Sequence, residues 1–120
     1  MDIDKLTIGE AKALAAMFGG QKVSARISGD MRPVIVRSRD AGVQFGYLDG
    51  YEGSTVYLKN ARQMWSWTAK EGGTILDCAN HGVKDGKFST TTSAVIVINA
   101  CAIIDCTDAA VKTLENAKWG

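Results

Sequence analysis

At 120 residues, with 46% hydrophobic and 22% charged residues, the chain has the size and composition of one folded domain rather than of a disordered segment, and no second domain is expected. A formal net charge of +1 lacks the broad basic field of a DNA- or RNA-polymer binder, although two or three cationic groups still suffice for a small phosphate ligand. The longest apolar run, SAVIVINACAII over 93–104, is broken by Asn99 and too short for a membrane helix, and the acidic start MDIDKLTIGE lacks the positive charge of a signal peptide. A cytosolic protein is expected, and its three cysteines, Cys78, Cys101 and Cys106, are expected to stay reduced.

In chain order, Thr7 and Glu10 open TIGEAKALAAMFGG as a capping box, with Leu6, Leu14, Met17 and Phe18 near one face and Gly19-Gly20 as the stop. This predicts an N-terminal helix of about three turns. Alternating apolar residues at Val34 and Val36, then at Val43, Phe45 and Tyr47, predict two strands joined by a turn at RDAG. After a second turn at DGYEG, STVYLKN and RQMWSWT read as a third and a fourth strand of an antiparallel meander. Thr74 and Asp77 cap a short middle helix that ends at Gly82. KDGKFSTTTS reads as a polar loop of roughly ten residues, and the run up to Cys106 as a central strand, apolar on both faces. Thr107-Asp108 then caps a C-terminal helix with Val111, Leu114 and Trp119 available for docking. The expected architecture is α+β: a single domain over 1–120, with an antiparallel sheet of about five strands, an N-terminal helix, a short middle helix and a C-terminal helix.

A catalytic centre is hard to assemble from these residues. His81 stands alone beside Gly82, where a polar C-terminal helix position accounts for it better than a triad does. Cys78, His81, Cys101 and Cys106 have the right count for structural zinc, but Cys101 and Cys106 are an odd number of residues apart and would face opposite ways along a regular strand. Buried thiols acting as small hydrophobes fit better. Neither GxGxxG nor GxxxxGK[ST] is present, so nucleotide triphosphate hydrolysis is disfavoured and no cofactor is expected.

Binding residues are easier to find. In NARQMWSW, strand parity sets Arg62, Met64 and Ser66 on one face against Gln63, Trp65 and Trp67 on the other. Tryptophan's preference for burial assigns the indoles to the core and turns Arg62 outward as a phosphate fork. On that assignment Arg62→Ala removes affinity without changing the melting temperature, whereas Trp65→Ala damages the fold. In the loop, Phe88 lies between Lys87 and the hydroxyls that begin at Ser89; it either stacks a base or anchors the loop in the core. Thr107 offers a helix N-terminus as an anion site with Lys112 one turn on, although capping alone is the commoner explanation of such a residue.

The blocks RPVIVRSRDAGVQFGYL, NARQMWSW, HGV to KFS, and ACAIIDCT before a helix resemble, in the same order over about residues 33–118, a family of small bacteriophage and prophage proteins, the Thoeris anti-defence sponges. The family blocks read like VIVRxxxAGVHxGxL, ARRIWxW and EIIPCTxxA. The resemblance implies a non-enzymatic protein that sequesters cyclic ADP-ribose isomers and, in some members, cyclic oligonucleotides. It further implies a dimer or a multiple of dimers in the cytoplasm of the infected host, without membrane or polymeric nucleic-acid partners. The family's binding residues carry over to Arg62, Phe88, Thr107 and a basic residue near Lys112, and the loop itself adds Lys87 and Ser89 as candidates. Three departures stand out: Gln63 replaces the second arginine of ARR, Asp105 replaces the proline before Cys-Thr, and Lys112 stands where an arginine is expected. A carboxylate at Asp105 would repel a phosphate unless it points away. Two rival classes remain: a phage structural or assembly protein with interface anchors such as Tyr51 and Trp119, and a small hydrolase of a signal nucleotide, for which no metal or general base is identified.

Overall fold

A computed structural model of the chain describes residues 26–119. The expected N-terminal helix lies outside the described residues. Six strands and two helices follow in the order β1 (Ile27–Ser38), β2 (Gly42–Glu52), β3 (Thr55–Ala69), α1 (Ile75–His81), β4 (Val83–Phe88), β5 (Thr92–Val97), β6 (Ala100–Asp105) and α2 (Asp108–Asn116). All pairings are antiparallel: β4, β3, β2, β1 and β6 form one path, and β5 pairs with β3.

The 15-residue β3 organises the sheet. Its first half pairs with β5 (Val56 opposite Val97) and its second half with β4 (Met64 opposite Phe88), so the two strands lie end to end along one edge. The third and fourth strands expected from the sequence are therefore one strand with a bulge, where Asn60 takes a positive φ of 48°. Gly46 faces this irregularity, and a Cβ there would come within 2.9 Å of the Ala61 Cβ, so the close approach requires glycine.

KDGKFSTTTS is not a long loop. Its first half is β4, its end enters β5, and only residues 89–91 connect them. The apolar run that follows is not one central strand either. It breaks at Asn99 (φ 59°), sending β5 to the edge beside β3 and β6 to the opposite edge beside β1. Because only Ile98 and Asn99 separate these strands, the sheet must curl until its two edges approach. The Ala100 amide donates to the Ser54 carbonyl at 2.8 Å, and the Ser38 hydroxyl donates to the Ile98 carbonyl at 3.2 Å, across that closure.

Curling creates two cores. Val34, Val36, Leu48, Val56, Leu58, Ala61 and Val97 form an apolar cluster that contains no helical residue, so the sheet's own concavity buries it. On the other face, Ile35, Phe45, Met64 and Phe88 pack under Ile75, Cys78, Ala110 and Leu114 of the helices. Both caps expected within the described residues form. Thr74 and Asp77 make the reciprocal capping box of α1, and the Thr107 hydroxyl accepts from the Ala110 amide at 3.1 Å. Thr107 also donates to the Asn80 carbonyl at 2.7 Å, tying the helices together. Thr107→Ala is expected to cost about 1 kcal/mol in chemical denaturation and to leave ligand affinity unchanged; an affinity loss would restore Thr107 to the binding site.

Candidate functional site

Arg62 is the hub of the surface of interest, but not in the orientation expected from tryptophan's preference for burial. Its side chain is only 8% exposed, whereas Trp65 is 65% exposed. Val56, Leu58 and Ala61 face the concave core, and beyond the bulge at Asn60 the side chains of Arg62 and Met64 face the helices. Trp65 then emerges on a part of the sheet without a helical cover, while Trp67 is half-buried against the helical core.

The Arg62 guanidinium acts as a tether. Its Nε donates to the Ser89 carbonyl at 3.0 Å, and Nη1 donates to the Leu114 and Glu115 carbonyls at 3.2 and 2.9 Å. The latter two are last-turn carbonyls of α2, which an α-helix cannot satisfy itself. α2 has no basic residue of its own in that turn, so Arg62 supplies the missing cation. Burial lowers the guanidinium's pKa from its ordinary value, because all three partners are neutral carbonyls. Nη2 has no hydrogen-bond partner among the described residues.

Phe88 is 1% exposed, at the end of β4, with its ring 5.2 Å below the Arg62 guanidinium. It is a core residue beneath a cation, with its ring almost wholly closed to a stacking base. Of the two readings of Phe88, the anchor is the one realised. Ser89 lies at the connection after β4, where its hydroxyl accepts from the Gln63 amide at 2.8 Å and donates to the Thr90 carbonyl at 2.9 Å. Lys87 is exposed, with its ammonium 5.6 Å from the Trp119 ring.

Trp119 is 61% exposed and meets Trp65 at a centroid separation of 6.5 Å with a 35° tilt. A bridge between Lys87 and Trp119, together with the Phe88 amide donating to the Lys118 carbonyl at 3.3 Å, straps the C-terminal segment onto β4. Arg62, Phe88, Ser89, Thr90, Lys118 and Trp119 together line an open cleft of about 360 Å3. A second cleft of about 420 Å3 shares Arg62 and is lined by Phe45, Tyr47, Asn60, Thr91 and Glu115. There the Tyr47 hydroxyl donates to the Glu115 carboxylate, and the phenol is pushed up to about 12, first by burial and then by that bond.

Arg62, Phe88, Ser89 and Lys87 are thus brought together, while Thr107 and Lys112 are not. Arg62 holds the C-terminal end of α2 and Thr107 caps its N-terminal end, a helix length of roughly 12 Å away. The Thr107 hydroxyl is occupied by its own cap and by Asn80, and Lys112 is an exposed residue between the two ends. Asp105 is turned to Arg32, whose Nε lies 2.7 Å from its carboxylate, so its charge is directed at an arginine. Cys78 is buried, Cys106 half-buried and Cys101 exposed with its thiol donating to the Arg37 carbonyl, so the three do not share one environment. Burial first and Asp105 second push the Cys106 thiol up to about 12. Tyr47, Glu115 and Lys118 are not among the residues expected from the sequence, because sheet pairing, α2 and the C-terminal strap bring them to Arg62, whereas Asn60 and Thr91 lie in the NARQMWSW block and the hydroxyl run.

Fold and clefts together define a small α+β protein: among the described residues, a curled, six-stranded antiparallel sheet with two helices and an open aromatic and polar surface around a buried arginine. Residues 31–114 match the family described as Domain of unknown function (DUF6948), and the chain belongs to that family. No curated protein and no solved structure matches it. The matched segment contains Arg62 and Phe88 but stops short of Lys118 and Trp119. Among the described residues, no helix is long and apolar enough to cross a membrane.

Proposed function

We propose that the protein captures a small cyclic nucleotide without cleaving it, as the sponge resemblance implies, with Trp119 and Trp65 replacing Phe88 as the aromatic element. One observation carries this reading: an exposed indole pair stands beside Lys87, Lys118 and the Ser89-Thr90 turn at the mouth of one cleft. Indoles stack a flat ring, ammonium groups neutralise phosphate, and the turn offers hydrogen bonds to a ribose. Sequestration needs affinity and slow release rather than chemistry. The proposal extends to a dimer or a multiple of dimers working in the cytoplasm of an infected bacterial host.

Titration of the purified protein with cyclic ADP-ribose isomers and cyclic di- and trinucleotides, followed by heat release and mass analysis, tests it. Saturable binding with intact ligand recovered is expected; a cleaved product would replace the sponge by a hydrolase. Trp119→Ala is expected to weaken binding at least tenfold, from the loss of a stacking contact worth about 1–3 kcal/mol. Its stability should change by no more than about 0.5 kcal/mol, as for an exposed residue. Undiminished affinity would remove the indole platform from the site.

A second reading, a phage structural or assembly protein, is favoured by one observation. Ile96 and Ile98 are exposed on and just after β5, which among the described residues pairs on one side only. A screen in which no nucleotide binds would move the assignment there.

A further inference from the structure

The second cleft combines two features that pull toward different ligand groups. Arg62 is buried with Nη2 unpartnered among the described residues, and the Glu115 carboxylate, held by the Tyr47 hydroxyl, lines the same space. Among the described residues these two opposite charges form no ion pair with each other or with any other side chain. A phosphate would satisfy the arginine and be repelled by the glutamate, and an amine would do the reverse. A neutral ring edge carrying a carbonyl acceptor next to N–H donors satisfies both.

We propose that this cleft, with Arg62 and Glu115 on its walls and Asn60 and Thr91 beside them, selects guanine. Its carbonyl oxygen accepts from Arg62 Nη2, while the ring N–H and the exocyclic amino group present two parallel donors to the two oxygens of the Glu115 carboxylate. Each carboxylate oxygen has two acceptor sites, so the Tyr47 bond does not use up that capacity. Adenine offers a single amino donor, and its unprotonated ring nitrogen would face the carboxylate as a second acceptor; hypoxanthine keeps the carbonyl and the ring N–H but lacks the amino group. At about 420 Å3 the cleft has room for a base. Guanine selection rests on the nucleotide capture proposed above and adds the ring that the second cleft reads.

Calorimetric titration of the full chain with guanosine, inosine and adenosine monophosphates and with cyclic di-GMP and cyclic di-AMP, alongside the cyclic ADP-ribose isomers, tests it. Guanosine forms are expected to bind at least tenfold more tightly than adenosine forms, with inosine between them. Glu115→Gln replaces one acceptor by a donor and should erase that preference; Glu115 is exposed, so the fold should survive. Tyr47→Phe leaves the carboxylate in place and should retain the preference. If nucleotides bind but guanosine forms show no advantage, or if Glu115→Gln keeps the advantage, guanine selection is overturned and capture stands. If none of these compounds binds, both fall.

Discussion

Arg62→Ala is expected to destabilise the fold by about 3 kcal/mol, because it strands carbonyls that the helix and the β4–β5 connection cannot satisfy and a missing charged donor costs roughly 1.5–3 kcal/mol. For a domain of this size that corresponds to a fall in Tm of roughly 10 °C. An outward phosphate fork predicts the opposite, an unchanged Tm. The distinction follows from the three bonds to Ser89, Leu114 and Glu115. Arg62→Lys retains the charge but not the planar fork that reaches β4 and α2 together, so it should recover only part of the loss. Thermal melts of both variants decide the point: an alanine variant as stable as the parent would mean that water replaces the guanidinium at the α2 end without cost. Because Arg62 also walls both clefts, lost binding in a destabilised variant says nothing about ligand contact. Trp119 and Glu115, which are exposed, are the cleaner probes.

Phe88→Ala should be the more damaging change, costing about 3–5 kcal/mol, as for other buried aromatic rings cut back to alanine. The ring packs with Met64, Ile75 and Leu114 and forms the apolar floor on which the Arg62 guanidinium lies. Its removal opens a cavity and lets water reach the tether, so α2 and the 89–91 connection should loosen together. Phe88→Leu, which keeps most of the volume, should cost about 1 kcal/mol. Denaturant unfolding followed by tryptophan fluorescence would measure both. A Phe88→Ala protein with a native midpoint and no ligand affinity would return the ring to a base-stacking role.

Much of the fold is legible locally. Val34, Val36, Val43, Phe45 and Tyr47 mark β1 and β2 by alternation, and Thr74 and Thr107 announce their helices by capping chemistry, because these signals depend on neighbours a few residues away. Failures occur where one residue changes the register or departs from its usual burial. Asn60 bulges β3 where two strands are expected, and Asn99 splits one apolar run into two strands on opposite edges, while Arg62 and Trp65 exchange their expected faces because Trp65 does not follow tryptophan's preference for burial. Asparagine tolerates positive φ, but it also occurs in ordinary turns and surfaces, so neither position stands out before the pairing is known. KDGKFSTTTS reads as a loop because its polar residues obscure a strand with only Val83 and Phe88 facing the core. The candidate site is half visible: Arg62 follows from the NARQMWSW block and Lys87 and Ser89 from the run around Phe88, whereas Tyr47 and Glu115 meet across 68 positions of chain.

The closure near Asn99 has a kinetic meaning. The contacts that join the sheet's edges, Ala100 with Ser54 and Ser38 with Ile98, link positions far apart along the chain, and such contacts form late because loop entropy must be paid before they return any energy. As the chain leaves the ribosome, the β1–β3 meander can form early but has no lid for its concave apolar face until 92–105 emerge. Arg62 likewise waits for residues 114 and 115 before its charge has a place to rest. The surface around Arg62 is therefore among the last parts of the molecule to come into existence, and nascent chains that stop before α2 should be held by chaperones.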